Sequence, residues 1–155
     1  MKLNAAYGSH LSMLIPLIQK TSGDVLEIGM GFCSTPVIHE LCRDRKIVSY
    51  ENHRGIYDTF ASYEAPWHEI HLIDNWDSME IDKPWSIALI DHAPARRRRH
   101  DLMRLKDFAD YIIIHDTEDE VDKYFRIKGR FRHFKFVKPN ELIPQTTIVS
   151  NKYPI

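Results

Sequence analysis

The chain has 155 residues, 43% of them hydrophobic and 28% charged, with a formal net charge of −1. That length suits one domain with a single core and buries roughly 68–70% of its unfolded surface, so it folds without staples. Near-neutrality argues against a general nucleic-acid binder, and Cys33 and Cys42 form no C-x-x-C or Cys/His zinc pattern, which points to a reduced, intracellular setting.

Residues 1–22 read as an N-terminal helical segment of that domain. "LSMLIPLI" follows Lys2 like a signal-peptide core, but Asn4, Tyr7, Ser9 and His10 interrupt the approach and no small-residue cleavage pattern follows. No other stretch nears the ~18 apolar residues that span a bilayer, so a soluble, cytoplasmic protein without membrane contact is expected. Leu11, Leu14, Ile15 and Ile18 fit helical spacing, with Pro16 predicting a kink or a later start. "DVLEIGMG" is a buried strand. The next helix takes Ser34 or Thr35 as N-cap and Pro36 in its first turn, with Val37, Ile38, Leu41 and Cys42 as its apolar face.

Strand and helix continue to alternate. "KIVSYEN" is a strand, and "GIYDTFASY" a helix with Ile56, Phe60 and Tyr63 on one side. "EIHLIDN" and "SIALIDH" are strands, and a helix from about Arg96 carries Leu102, Leu105, Phe108 and Ala109. "YIIIHD" has the continuous apolar character of a central parallel strand. "EVDKYFRI" is a short helix. "FKFV" and "TTIVS" are closing strands too close for a helical crossover and so antiparallel. The order predicts an open, seven-stranded, mostly parallel α/β sheet with an antiparallel last strand and helices on both faces.

Ligands of such sheets bind beyond the carboxyl ends of the strands. Glu27, Gly29 and Gly31 lie there at the end of the first strand, and the following helix offers free N–H groups at residues 34 to 37. Glu51 closes the second strand 22 residues after Gly29, where a carboxylate accepts hydrogen bonds from a ribose diol, each worth roughly 1.5–3 kcal/mol. A dinucleotide would want G-x-G-x-x-G, but Ser34 stands at the third position and Glu27 is awkward beside a pyrophosphate. Glu27 suits a cationic cofactor better, such as one with an amino group and a sulfonium.

"VLEIGMG" with "SYEN" about twenty residues later resembles motifs I and II of class I S-adenosylmethionine-dependent methyltransferases. "ALIDHAPARRRRHDLMRL" followed by "YIIIHDTE" is similar to the fourth and fifth strand ends of small-molecule O-methyltransferases of the catechol and bacterial sugar or macrolide types. The resemblance runs from about Asp24 to Glu118 and implies a Rossmann-like methyltransferase fold. It implies that Gly29, Met30 and Gly31, with Ser34 and Thr35, wrap the methionine part of S-adenosylmethionine, with Glu27 near its amino group. Glu51 would hold the ribose, Asn52 would lie beside the adenine, and Asp74, Asn75 and Trp76 would form the adenine pocket. Trp76 either stacks on the base or packs under a loop. Asp91 and His92 would sit at the methyl-transfer end.

Methyl transfer is an in-line displacement, so the protein positions the nucleophile and helps deprotonate it. Asp91 and Asp116 close neighbouring strands about 4.8 Å apart, so both could hold one Mg2+ that lowers the pKa of a substrate oxygen. The chain departs from the catechol pattern at Thr117 and Pro94; without a metal, His92 or His115 is the candidate general base. Arg96 to Arg99 sit at a helix N-terminus, against the macrodipole, which points to an anionic small-molecule substrate, a partner acid or a solvated basic face. Little chain remains for a lid, so Tyr7 to His10 either fold over the cofactor or lead into the first helix. The site is either open or completed by a second subunit. The reading is an S-adenosylmethionine-dependent methyltransferase acting at oxygen of a small hydroxylated molecule. The alternatives are a non-catalytic binding protein of the same fold and an NAD-dependent oxidoreductase.

Overall fold

A computed structural model describes residues 8–155. Tyr7 therefore lies outside the described residues. The strands are β1 (Val25–Ile28), β2 (Ile47–Glu51), β3 (His68–Leu72), β4 (Trp85–Ile90), β5 (Ala109–His115), β6 (Phe136–Pro139) and β7 (Thr146–Ser150). They form one seven-stranded sheet of order β3-β2-β1-β4-β5-β7-β6. β1 to β5 pair in parallel, and β7 runs antiparallel to both β5 and β6. The expected architecture is present, with the antiparallel strand inserted between β5 and the edge. Pro139 falls on that edge strand, where a missing N–H costs the ladder least.

The helices are α1 (Leu11–Lys20), α2 (Ser34–Leu41), α3 (Arg54–Phe60), α4 (Arg98–Arg104) and α5 (Asp119–Phe125). None of the described helices is long and apolar enough to cross a membrane. Side chains alternate across the sheet. Val25, Ile47, Ile87, Leu89 and Ile113 pack with Met13, Leu14, Leu17 and Ile18 of α1 and Ile38 of α2. Leu26, Ile28, Val48, Ala88, Ile90, Ile112 and Ile114 pack on the other face with Trp85, Leu102 and Leu105.

Three local expectations change. α1 runs through Pro16. Pro16 and Ser12, whose carbonyl loses its intrahelical donor, are both exposed, so water can take that bond. α2 is preceded by Cys33 with no side-chain cap, because the Thr35 hydroxyl is engaged elsewhere. The arginine run is not one helix turn: Ala95–Arg97 form a 3-10 turn and α4 starts at Arg98, while Ala109 already belongs to β5.

The strand order reverses between β1 and β4, on either side of which β2 and β5 continue the sheet. At this point Gly29 has φ +89°, and a Cβ there would lie 2.6 Å from both N and Cα of His92. Only glycine lets the end of β1 abut the chain leaving β4. Gly29→Ala is expected to destabilise the fold by more than the roughly 1–3 kcal/mol of a strained backbone alone, because the clash is with backbone atoms. Denaturant unfolding of the variant against the parent chain measures this.

Candidate functional site

An open crevice of about 390 Å3 lies at this switch point, lined by Gly29, Met30, Glu51, Asn52, His53, Ile56 and residues 91–94. That volume is within the roughly 300–1,000 Å3 of ligand pockets, and the carboxyl ends of the strands are where this kind of sheet binds them. Glu51 is held in it by three backbone donors. Its Oε2 accepts from Met30 N–H at 3.0 Å, and its Oε1 from the N–H groups of Asn52 and His53 at 2.9 and 2.8 Å. The carboxylate is thereby fixed at the end of β2, with both lone pairs of Oε1 engaged and one left on Oε2.

Glu27 is placed differently from expectation. It shares the α2 face of β1 with Val25 and is fully buried. Thr35 Oγ donates to it at 3.0 and 3.1 Å, and Ser49 Oγ donates to it at 2.7 Å. Burial pushes its pKa up to about 7, against the pull of the neighbouring hydroxyls. Thr35 Oγ also accepts from Gly31 N–H at 2.9 Å. Glu27 and Thr35 thus pin the glycine loop from beneath, and the Glu27 carboxylate has no exposed surface to offer a ligand. Ser34 is likewise buried beside the loop. Behind Ser49 a polar chain continues: Ser49 Oγ is 2.8 Å from His68 Nε2, and His68 Nδ1 is 3.1 Å from His39 Nδ1. Burial lowers the pKa of His68 to about 4, so its ring is neutral.

The expected adenine pocket is not assembled as predicted. Trp76 is buried, donates from Nε1 to Ala93 O at 2.9 Å and packs on His92 with ring centroids 4.4 Å apart. It supports the 91–94 loop from below instead of offering a face for stacking. Asn75 Oδ1 accepts from Asp77 N–H at 3.0 Å and so caps the Trp76–Ser78 turn, and Asp74 is exposed. Of the two sequence readings of Trp76, packing under a loop is the one that its burial and its bond to Ala93 match.

At the other end of the crevice, Asp91 and Asp116 come together, but around Arg98. The first residue of α4 sends its guanidinium under both strand ends. Nε donates to His92 O at 2.8 Å, Nη1 to His115 O at 3.0 Å and to Asp116 Oδ2 at 2.8 Å, and Nη2 to Asp91 O at 3.2 Å. Nη2 also lies 3.1 Å from Asp91 Oδ1. Four hydrogen bonds and one further ion-pair contact thus converge on the guanidinium. The Mg2+ expected at Asp91 and Asp116 does not fit this arrangement, since a fixed cation already occupies the space between the carboxylates. Asp116 adopts φ 57°, the left-handed turn that swings its carboxylate back to Arg98.

His115 is held on both sides. Nδ1 lies 3.1 Å from Asp91 Oδ1, and Nε2 lies 2.9 Å from Ser9 Oγ. Ser9 Oγ donates its proton to Pro144 O at 2.7 Å, so it accepts from His115 Nε2–H. A carboxylate also only accepts, so both ring nitrogens carry protons and His115 is an imidazolium. Burial would lower its pKa, but Asp91 and Asp116 prevail and raise it. Burial would raise that of Asp91, and His115 and Arg98 prevail and lower it. His115 therefore lacks the free lone pair of a general base. His92, the other expected base, is sealed: its imidazole has no exposure and Nε2 is 3.0 Å from the buried Asp101. Arg97 also binds Asp101, with Nε and Nη2 at 2.9 and 3.0 Å. Two of the four arginines thus have partner acids inside the protein.

Sequence reasoning missed Ser9 and His10 as site residues. They follow Gly8 and bring the start of α1 onto the ends of β4 and β5, with the His10 ring edge-on to His115 at a centroid distance of 5.2 Å. The "YGSH" stretch was a signal of this, as far as its described residues go.

No family model matches the chain, and no curated protein matches it. Among solved structures, it is similar to a putative O-methyltransferase from Klebsiella pneumoniae, 16% identical, covering 98% of this chain and 82% of that one with a TM-score of 0.67. It is similar to the O-methyltransferase TomG from Streptomyces achromogenes in complex with SAM, 15% identical, covering 98% and 82% with a TM-score of 0.69. The N-methyltransferase NodS from Bradyrhizobium japonicum is 7% identical, covering 99% and 100% with a TM-score of 0.68. These likenesses are of fold, and the fold is the Rossmann-like one of class I S-adenosylmethionine-dependent methyltransferases.

Removing Arg98 leaves two carboxylates and three carbonyls without their donor. Arg98→Ala is expected to lose about 3–5 kcal/mol of stability, and Arg98→Lys most of that, since an ammonium cannot reproduce the planar fork; urea unfolding at neutral pH measures both. Glu27 gives a pH signature. Its folded pKa, about 7, lies above its unfolded value near 4.5, so the folded state binds more protons between these limits. Stability then falls as pH rises from about 4.5 to 7, by about 3 kcal/mol, and is level above that. Glu27→Gln is expected to lack this slope, as unfolding curves of the two proteins across the same pH range would show.

Proposed function

We propose that the chain is an S-adenosylmethionine-dependent methyltransferase that methylates oxygen on a small, hydroxylated, anionic molecule. The observation that carries this reading is the crevice at the β1/β4 switch point, where Gly29, Met30, Glu51, Asn52 and Asp91 converge as the motif resemblance implies. Solved neighbours of the fold include proteins crystallised with SAM or SAH. The cofactor, when bound, supplies an electrophilic methyl group on a sulfonium. The chain would hold its ribose at Glu51 and its methionine part along Gly29 to Gly31, on a loop that Glu27 and Thr35 keep in place.

With His92 sealed and His115 fully protonated, acceleration would rest on positioning more than on a strong base. Asp91 and Asp116, each with a side chain 26% exposed, are the carboxylates at the open end that could orient a substrate hydroxyl. An acidic substrate group has a place beyond Pro94. Arg96, Arg97, Arg99, His100, Met103 and Arg130 line a concavity of about 540 Å3, and Arg99 and Arg130 continue into one shared with Arg126 and Arg132. Arg97 is paired there with Asp77 and Asp101. No carboxylate of the described residues pairs with Arg96, Arg99 or Arg130, so their charge is free for a ligand.

Calorimetric titration with S-adenosylmethionine, S-adenosylhomocysteine and NAD tests the cofactor. The first two are expected to bind and NAD not. Glu51→Ala is expected to weaken binding about 10- to 100-fold, the loss of charged hydrogen bonds to the ribose. Binding of NAD alone would make the chain an oxidoreductase, and binding of none of the three would favour the non-catalytic reading.

A further inference from the structure

His10 is 2% exposed, and neither of its ring nitrogens has a hydrogen-bond partner among the described residues. A buried imidazole left unpaired is worse placed than a paired one and calls for a ligand. One ligating atom each from His10, Asp91 and His115 lie within 4.8 Å of one another. Ligands about 2.1 Å from a common tetrahedral ion are about 3.4 Å apart, so the three close on an ion with shifts of at most about an ångström each.

The surroundings of the triad match those of a metal centre. Ser9 Oγ accepts from His115 Nε2–H and donates to Pro144 O, which fixes the ring and presents Nδ1 toward Asp91. A ligating histidine is oriented in just this manner, through its other nitrogen. Arg98 and His115 both contact Oδ1 of Asp91, and Oδ2 makes no hydrogen bond to the described residues. Arg98 opposes a further cation, and Asp116, 3.4 Å from His115 Nδ1 by its Oδ1, offsets it with a second negative charge. The ion takes the position of the His115 Nδ1 proton, which passes to solvent.

We propose that His10, Asp91 and His115 form a binding site for one transition-metal ion of the Zn2+ or Co2+ class. Two imidazoles and one carboxylate select such ions over Mg2+, which prefers oxygen ligands and retains its waters. The site is distinct from the Asp91–Asp116 pair, where Arg98 sits. Asp91 also lines the crevice, so the ion would adjoin the space assigned to a substrate hydroxyl. The proposal does not depend on the methyltransferase reading.

The test is titration of chelator-treated protein with Co2+, followed by its visible absorption, and with Zn2+ by calorimetry, both without cofactor and with Mg2+ as control. One equivalent of Co2+ or Zn2+ is expected to bind, and Mg2+ not. His10→Gln removes no hydrogen bond present in the structure and should keep the parent melting curve. It is expected to lose at least 100-fold in ion affinity, and Ser9→Ala about 10- to 100-fold. Unchanged ion binding in His10→Gln, or no binding by the parent protein, would overturn the proposal. Titrating S-adenosylmethionine into the chelated protein keeps this result separate from the cofactor question.

Discussion

Arg98 is the contact on which the carboxyl-end architecture depends. β4 and β5 are neighbours whose ends each terminate in a carboxylate, and two negative charges side by side in a half-buried place repel. The guanidinium neutralises both while also taking the carbonyls of Asp91, His92 and His115. A planar fork can meet such a set, because its donors point outward in one plane. The result is a clamp that fixes where the chain leaves each strand, and hence where Asp91 meets the glycine loop of β1.

Around that clamp lies a four-charge cluster with Arg98 and His115 against Asp91 and Asp116. It explains why the pKa of Asp91 is lowered in spite of burial, and why His115 is a poor base. A second buried unit, Asp101 with Arg97 and His92, holds the loop that follows β4. Between them these units use up polar groups that a reading by motif assigns to chemistry.

The sheet was legible in the sequence because it rests on hydrophobic period and on glycine and proline punctuation. Every strand from "DVLEI" to "TTIVS" is recovered, and so is the antiparallel relation of the last pair. The strand-end positions Gly29, Glu51 and Asp91 were legible for the same reason, since topology alone brings them together. Less legible was which polar groups face the crevice and which face the protein. Glu27 shares a face with Val25 by simple alternation, yet its partners Thr35 and Ser49 lie on other elements. Arg98 is one of four identical residues, and only the start of α4 decides which one turns inward. The unfavourable placement of positive charge at a helix N-terminus did point to partner acids, and Arg97 and Arg98 have them. Ser9 and His10 reach the site because α1 begins above β4 and β5, a long-range arrangement of which the "YGSH" stretch gave only a hint.

The chain of hydroxyl and imidazole behind Glu27 has a direction. Ser49 donates to the carboxylate, so it must accept from His68 Nε2–H, and the neutral His68 then accepts at Nδ1 from His39 Nδ1–H. Every hydrogen in the series points toward Glu27, and the far end, His39, is only half-buried. A carboxyl sealed beneath the glycine loop is thus linked by hydrogen bonds to the β3 edge of the sheet. Its charge can follow the pH outside without the loop, or anything bound on it, having to open.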